Sequence, residues 1–523
     1  MKKPQLGTKT DAKSAASDIQ GNNGNEERRK ALLSFVKTMT FLAGISVFVI
    51  RVVMDYLIHY NTALLANARR VEYAFFFFWA AGLAACAALK LSLGRGSALS
   101  RLGGLLKRKI RVEYVLLLGI LIWGILSCVS MSTAYKGDFV TANRYAMEDM
   151  AICILVFFPM GFLFEGEAYK KILVSCLRLM IAVTTVLMIA VIWNVFRSNV
   201  VRLPEGLVIM RDGEMLEISS NRNTVAAYAA FTAFLCPVLM LSTARKWEKA
   251  LYVFAFIVHW VIQCLTQSAT GLIVGSLTGG LMTAFFLMER GEKVPFRRRL
   301  FTAVICGTAV MVLLWMSRKW IFRLYQICIG ASVDSLRNMS SNNTFSGRLT
   351  IWRAAVRAIF GYNGNKTTFR NAMFGYTFAG VPSIIKILCG LEMYTHNEYM
   401  EVGAAMGIPA LLAYIAFSVV MGMRCAGIAL SHRGGVKLKE RFIPILVLSL
   451  VVGNLTEAML MGYGFMTSCF FFLMCGWCSR RSRDLGKLFL PWKTSAPPEN
   501  IESTALQKGD QTSLSVDTLS ERD

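Results

Sequence analysis

Two residue types at the ends of one polar stretch have the chemistry for group transfer at an anionic centre. At one end stands Ser346-Gly347-Arg348, whose arginine is a permanent cation suited to phosphate oxygens. At the other stands His396-Asn397-Glu398-Tyr399, where an imidazole with an unperturbed pKa near neutrality suits taking a proton. From Lys319 to Thr395 the chain carries nine Lys or Arg (Lys319, Arg323, Arg337, Arg348, Arg353, Arg357, Lys366, Arg370, Lys386) against two acids, Asp334 and Glu392. No apolar run in that interval is long enough to cross a bilayer, whereas the sequence on both sides is almost continuous membrane helix. The stretch is a cationic surface beside a membrane.

Two helices must position these groups. Arg348 to Phe360 reads as a helix, with Leu349, Trp352, Val356 and Ile359 on one face and Ser346 placed to cap its start. Advancing by about 100° per residue sets this apolar stripe beside Arg348 and turns Arg353 and Arg357 away from it. Such a helix belongs in the membrane interface, and its first turn offers free N–H groups and the positive dipole end to a phosphate. The same pattern also fits a solvated basic helix snorkelling at the headgroups. The second helix follows His396: Asn397 caps it, and Glu398 and Glu401 suit its dipole. His396 is then either part of that cap or a proton acceptor.

The composition supplies the scaffold. Of 523 residues, 55% are hydrophobic and 17% charged, with a mean hydropathy of +0.49, more apolar surface than a soluble domain can hide. In a soluble protein the net charge of +25 would suggest nucleic acid; here it fits loops facing anionic lipid, and no nucleic-acid partner is expected. Apolar windows predict about twelve spans, near 36–57, 73–91, 113–132, 148–165, 171–195, 223–242, 249–266, 269–288, 300–318, 398–421, 441–460 and 463–478. The basic loops around Lys107-Arg108-Lys109, Arg297-Arg298-Arg299 and Arg433 to Arg441 fall on one side, which the positive-inside rule makes cytoplasmic.

The fold expected is therefore an all-α polytopic membrane protein with one large extracytoplasmic loop containing an amphipathic helix. Its parts are a disordered cytoplasmic tail over 1–30, helices one to nine over 31–318, the loop over 319–397, helices ten to twelve over 398–478 and a second disordered tail over 479–523. The first apolar segment reads as an anchor and not as a cleaved signal, because no cleavage-like sequence follows it. Thirteen cysteines show no zinc-type pattern and mostly read as small hydrophobes. Cys475 and Cys478 read as packing or palmitoylation, and Cys328 with Cys389 as a possible loop disulfide. No nucleotide-binding glycine loop appears, so ATP is not expected as the energy source.

An ordered set of short motifs adds a resemblance. Ser346-Gly347-Arg348 with Trp352, then Arg370-Asn371-Ala372-Met373-Phe374-Gly375-Tyr376, then His396-Asn397-Glu398-Tyr399-Met400-Glu401 and Gly403-Ala404-Ala405-Met406-Gly407-Ile408-Pro409 resembles the signature of the O-antigen ligase and polymerase superfamily, the Wzy-C type. The resemblance implies a metal-independent, cofactor-free membrane glycosyltransferase of the bacterial inner membrane. Its donor would be a polyprenyl diphosphate-linked glycan, and its acceptor hydroxyl would sit on a glycan, a lipid or a protein. His396 and Arg348 are then the candidate catalytic residues; Arg222, Arg211, Arg353, Asn397 and Glu398 are candidates for binding substrate. Where the family often has Thr-x-Ser-Arg, this chain has Thr266-Gln267-Ser268-Ala269, so the missing cation must come from elsewhere, with Arg222 or Arg211 as sources.

Three further polar groups fall at membrane depth: Arg51, which either functions there or snorkels; His259, which either functions or bonds a neighbouring helix; and Glu457 with Asn454, the better functional candidate of the three or else an interhelical structural pair. A transporter or flippase for a lipid-linked glycan or another anionic solute also accommodates such groups. It usually shows two repeated halves, and no such symmetry is visible here. A scaffold for a polysaccharide assembly complex would leave the polar loop without required residues.

Overall fold

The apolar runs fold as helices because a segment surrounded by lipid must satisfy its backbone hydrogen bonds internally. The computed structural model describes residues 10–54, 62–93, 111–131, 138–164, 166–197, 200–202, 208–212, 215–218, 222–266, 268–290, 295–328, 345–363, 366–431, 438–458, 460–461 and 466–484. In order these form α1 (Thr10–Val53), α2 (Thr62–Leu93), α3 (Val112–Met131), α4 (Asp138–Ile152), α5 (Phe158–Leu163), α6 (Glu167–Arg197), α7 (Arg222–Met240), α8 (Lys246–Leu265), α9 (Ala269–Arg290) and α10 (Phe296–Cys328). After the polar stretch come α14 (Glu398–Ala429), α15 (Leu438–Gly453) and α16 (Met466–Asp484), and within it α11 (Phe345–Ile359), α12 (Phe369–Phe374) and α13 (Val381–Cys389).

Among the described residues nine helices are long and apolar enough to cross a membrane, which makes this a multi-pass membrane protein. The three other expected spans coincide with α7, α15 and α16; of these, α7 contributes a shorter apolar helix, Tyr228–Met240.

Four expectations change. Residues 10–30, read as part of a disordered tail, continue α1: Ala12, Ala15, Ala16, Glu26 and Glu27 are good helix formers, and extending a helix already nucleated in an apolar segment is easy. Residues 1–9 and 485–523 lie outside the described residues, while 479–484, placed in the second tail, end α16. α10 runs on through Cys328, past the expected start of the loop at 319. The segment after α6 is not purely helical: β1 (Val200–Arg202), β2 (Val208–Asp212) and β3 (Met215–Ile218) form a small antiparallel sheet in the order β1-β2-β3, pairing Val200 with Met210 and Ile209 with Ile218. Val200, Val201, Val208, Ile209 and Ile218 are β-branched residues that favour strands.

Two prolines place tertiary contacts. Pro159 in the first turn of α5 has no N–H to offer four residues back, and the chain before it, Cys153–Phe157, widens into a π turn. The carbonyl of Leu155 instead accepts the Trp79 indole N–H at 3.0 Å, tying α2 to this segment. In α14 the helix breaks at Gly407 (φ 81°, ψ −179°), just before Pro409. The carbonyls released there are taken by the polar stretch: Ala404 O accepts Tyr376 N and Ala405 O accepts Thr377 N, each at 2.8 Å. Met406 O and Met373 O share the Trp123 indole N–H of α3, at 3.1 and 3.0 Å, and Phe374 stacks on the same indole at 5.3 Å. The loop is thus fastened to the helical bundle at the break.

Arg51 does not snorkel. It is 3% exposed, donates from Nη2 to Glu72 at 2.8 Å and also contacts Asp149, which Arg69 reaches at 3.3 Å. Charge at this depth is carried as a paired cluster, the form in which a low-dielectric interior tolerates it.

Candidate functional site

His396 sits between α13 and α14 in the left-handed region (φ 51°), which a non-glycine residue adopts only where its surroundings hold it. Those surroundings are named bonds. Thr395 N donates to Glu401 Oε2 at 2.9 Å, and Thr395 O accepts the Trp352 indole N–H of α11 at 3.0 Å. On the other side, Asn397 Oδ1 accepts Met400 N at 3.1 Å, the cap expected from sequence, while its Nδ2 donates to Leu455 O at 2.9 Å.

The segment that follows α15 forms the opposite wall. Glu398 is fully buried and its carboxylate accepts Leu460 N at 2.8 Å and Met461 N at 2.6 Å, while its own N–H donates to Asn454 O at 2.8 Å. These bonds fix the turn between them, which carries Glu457. Glu457 Oε1 lies 2.8 Å from His396 Nδ1, with the carboxylate nearly buried and the imidazole 22% exposed. An ionised carboxylate only accepts, so beside it Nδ1 carries the hydrogen, and in the neutral imidazole Nε2 is then the nitrogen with the lone pair.

Arg348, in the first turn of α11, completes the cluster. Its Nη1 donates to Thr456 O at 2.8 Å and its Nη2 lies 3.7 Å from Glu457 Oε2. The guanidinium is 23% exposed, so it faces outward as well as onto the carboxylate. Thr270, next to Ala269 at the start of α9, donates to the same Thr456 carbonyl at 3.3 Å. The position where the resembled family often carries arginine therefore borders the site, and alanine occupies it.

The structure brings together His396, Asn397, Glu398 and Arg348 among the residues picked from sequence. It gives Glu398 a different task, since both carboxylate oxygens hold backbone N–H groups. Arg353 is exposed on the far side of α11, where it lines a groove of about 520 Å³ with Leu349, Trp352, Val356, Arg357 and Met400. Of the expected stripe, Ile359 is buried while Leu349 and Val356 are exposed, and α11 also buries Ile351, Ala354, Ala355 and Ala358. α11 also starts at Phe345, so Ser346 stands within its first turn and not before it. Arg211 stands in β2 and Arg222 opens α7, but their side chains lie outside the described residues.

Glu457, with Asn454, was legible from sequence as the better functional candidate among the polar groups at membrane depth, or else as an interhelical structural pair. In fact α15 ends at Gly453, Asn454 Nδ2 bonds the Tyr414 hydroxyl at 3.0 Å, and Glu457 turns to His396 and Arg348. His259 does bond a neighbouring helix, 3.3 Å from Thr185 Oγ1. Cys389 is a free thiol, Cys328 lies outside the residues whose side chains are described, and Cys475 and Cys478 are fully buried, as packing residues are. Among the described residues no group of three or more His, Cys, Asp or Glu could hold a metal ion. No protein-family profile matches the chain, and no curated protein matches it.

Proposed function

We propose that this chain is a membrane glycosyltransferase of the O-antigen ligase or polymerase kind, acting in surface polysaccharide biosynthesis. It takes a glycan from a polyprenyl diphosphate carrier and passes it to an acceptor hydroxyl on a glycan, a lipid or a protein at the outer face of the bacterial inner membrane. The observation that carries this reading is the His396–Glu457 pair at 2.8 Å beside Arg348. His396 Nε2 takes the proton of the acceptor hydroxyl, Glu457 holds the ring in the required tautomer, and Arg348 with the first turn of α11 meets the charge developing on the diphosphate leaving group. Twelve spans with both ends cytoplasmic put this cluster outside, consistent with basic residues flanking the opposite helix ends.

The test is the lipid-linked and surface glycan profile of cells carrying His396→Ala or Arg348→Ala, with the amount of protein in the membrane measured alongside. The expected result is loss of transfer by about 100-fold or more, with donor accumulating at normal protein level. Unchanged transfer in both variants favours the transporter reading, in which the cluster only caps α14.

A further inference from the structure

A column of buried polar side chains leads away from the candidate site, and the proposed reaction makes no use of it. On α8 and its C-terminal cap, His259, Gln263 and Thr266 recur at helical spacing on one face, and all three are 0% exposed. At the site end, Thr270 reaches the carbonyl that Arg348 also holds. At the deep end the His259 ring meets Tyr228 of α7 edge-on at 6.4 Å and Thr185 of α6 at 3.3 Å. α7 and α8 form an antiparallel hairpin, so Thr232, one turn past Tyr228, continues the column beyond His259. At 1.5 Å per residue the column extends about 15 Å from Thr266.

Three fully buried residues along it present side-chain atoms with no hydrogen-bond partner among the described residues: His259 Nδ1, Gln263 Nε2 and Thr232 Oγ1. An atom of this kind left dry carries the full desolvation penalty of its group, and buried polar sites such as these are where proteins hold water. The donor set selects the occupant. An amide N–H repels a metal cation, an anion finds no positive charge there, and water both donates and accepts.

We infer that α6, α7 and α8 enclose a column of ordered water that opens at the candidate site and reaches His259. It places a titratable imidazole at membrane depth in proton exchange with the solution at the site. The column is blind, because beyond Thr232 the helix presents Leu235 and Leu239, 5% and 1% exposed. It stands whether or not the reaction is glycan transfer.

Full-length Thr232→Cys and Gln263→Cys variants in membrane vesicles are treated with 2-aminoethyl methanethiosulfonate, and each modified cysteine is assigned by mass spectrometry. The native Cys475, 0% exposed, is the reference within each chain. Thiolate is the reactive form and needs water to ionise. The introduced cysteines should react at least tenfold faster than Cys475; reaction no faster than the reference makes the column dry and overturns the inference. Thr232→Val and Gln263→Leu supply a second readout that needs no labelling. Removing a water-bonded polar atom lowers the midpoint of thermal unfolding, whereas removing a dry one raises it, and a rise in both variants also overturns the inference.

Discussion

At the scale of single residues, the site depends on who holds His396. Its backbone is confined to φ 51° by bonds from both neighbours, Thr395 to Glu401 and Asn397 to Leu455. Its ring is oriented by Glu457 alone among the hydrogen bonds of the described residues. Glu457→Gln keeps the shape but removes the charge that fixes the hydrogen on Nδ1. The rate of donor consumption should fall by about 10- to 100-fold, less than the full loss of a general base, with unchanged protein level. A wild-type rate would reduce Glu457 to a space-filling partner. Glu398 gives a contrasting outcome. Its carboxylate accepts two backbone N–H groups in a fully buried place, so Glu398→Gln should lower stability by about 2–4 kcal/mol, seen as a lower unfolding midpoint in detergent.

At the scale of elements, the break in α14 joins the loop to the bundle. Gly407 has φ 81°, and a Cβ there would lie 2.2 Å from Met373 O, in the segment whose neighbours Tyr376 and Thr377 bond the released carbonyls. Gly375 faces the same seam, where a Cβ would lie 2.4 Å from the Ala405 carbonyl carbon. Gly407→Ala should therefore destabilise by about 2 kcal/mol or more and expose the 366–380 segment to protease. Gly422→Ala, later in α14 where no atom lies within 4 Å of the added Cβ, should instead leave stability unchanged or raise it by up to about 1 kcal/mol. Equal effects at the two positions would mean that the seam does not hold the loop.

At the scale of the whole molecule, the apolar runs were legible because hydropathy reports a helix's solvent, and the amphipathic helix and the Asn397 cap were legible because both are local. The ordered motifs also placed Arg348 and His396 in one stretch, and they do meet across Glu457. What sequence could not supply were the partners brought in from afar. Glu457 reads as a residue inside a span until α15 is seen to stop at Gly453, and the apolar stripe of α11 does not reveal that Ala354, Ala355 and Ala358 are the residues buried against the protein while Leu349 and Val356 stay exposed. Periodicity finds a face; it does not say whether lipid or protein covers it.

Sidedness remains a property of the whole chain, and the outer-face chemistry stands on it. Arg353 and Arg357 are exposed on α11, and Arg298 is exposed at the start of α10 among the basic residues assigned to the cytoplasm. Arg353→Cys and Arg357→Cys should react with a membrane-impermeant maleimide on intact cells, and Arg298→Cys only after permeabilisation. The reverse pattern would put His396 and Arg348 on the cytoplasmic side, where a glycan already carried to the outer face is out of reach, and the proposed transfer could not occur at this cluster.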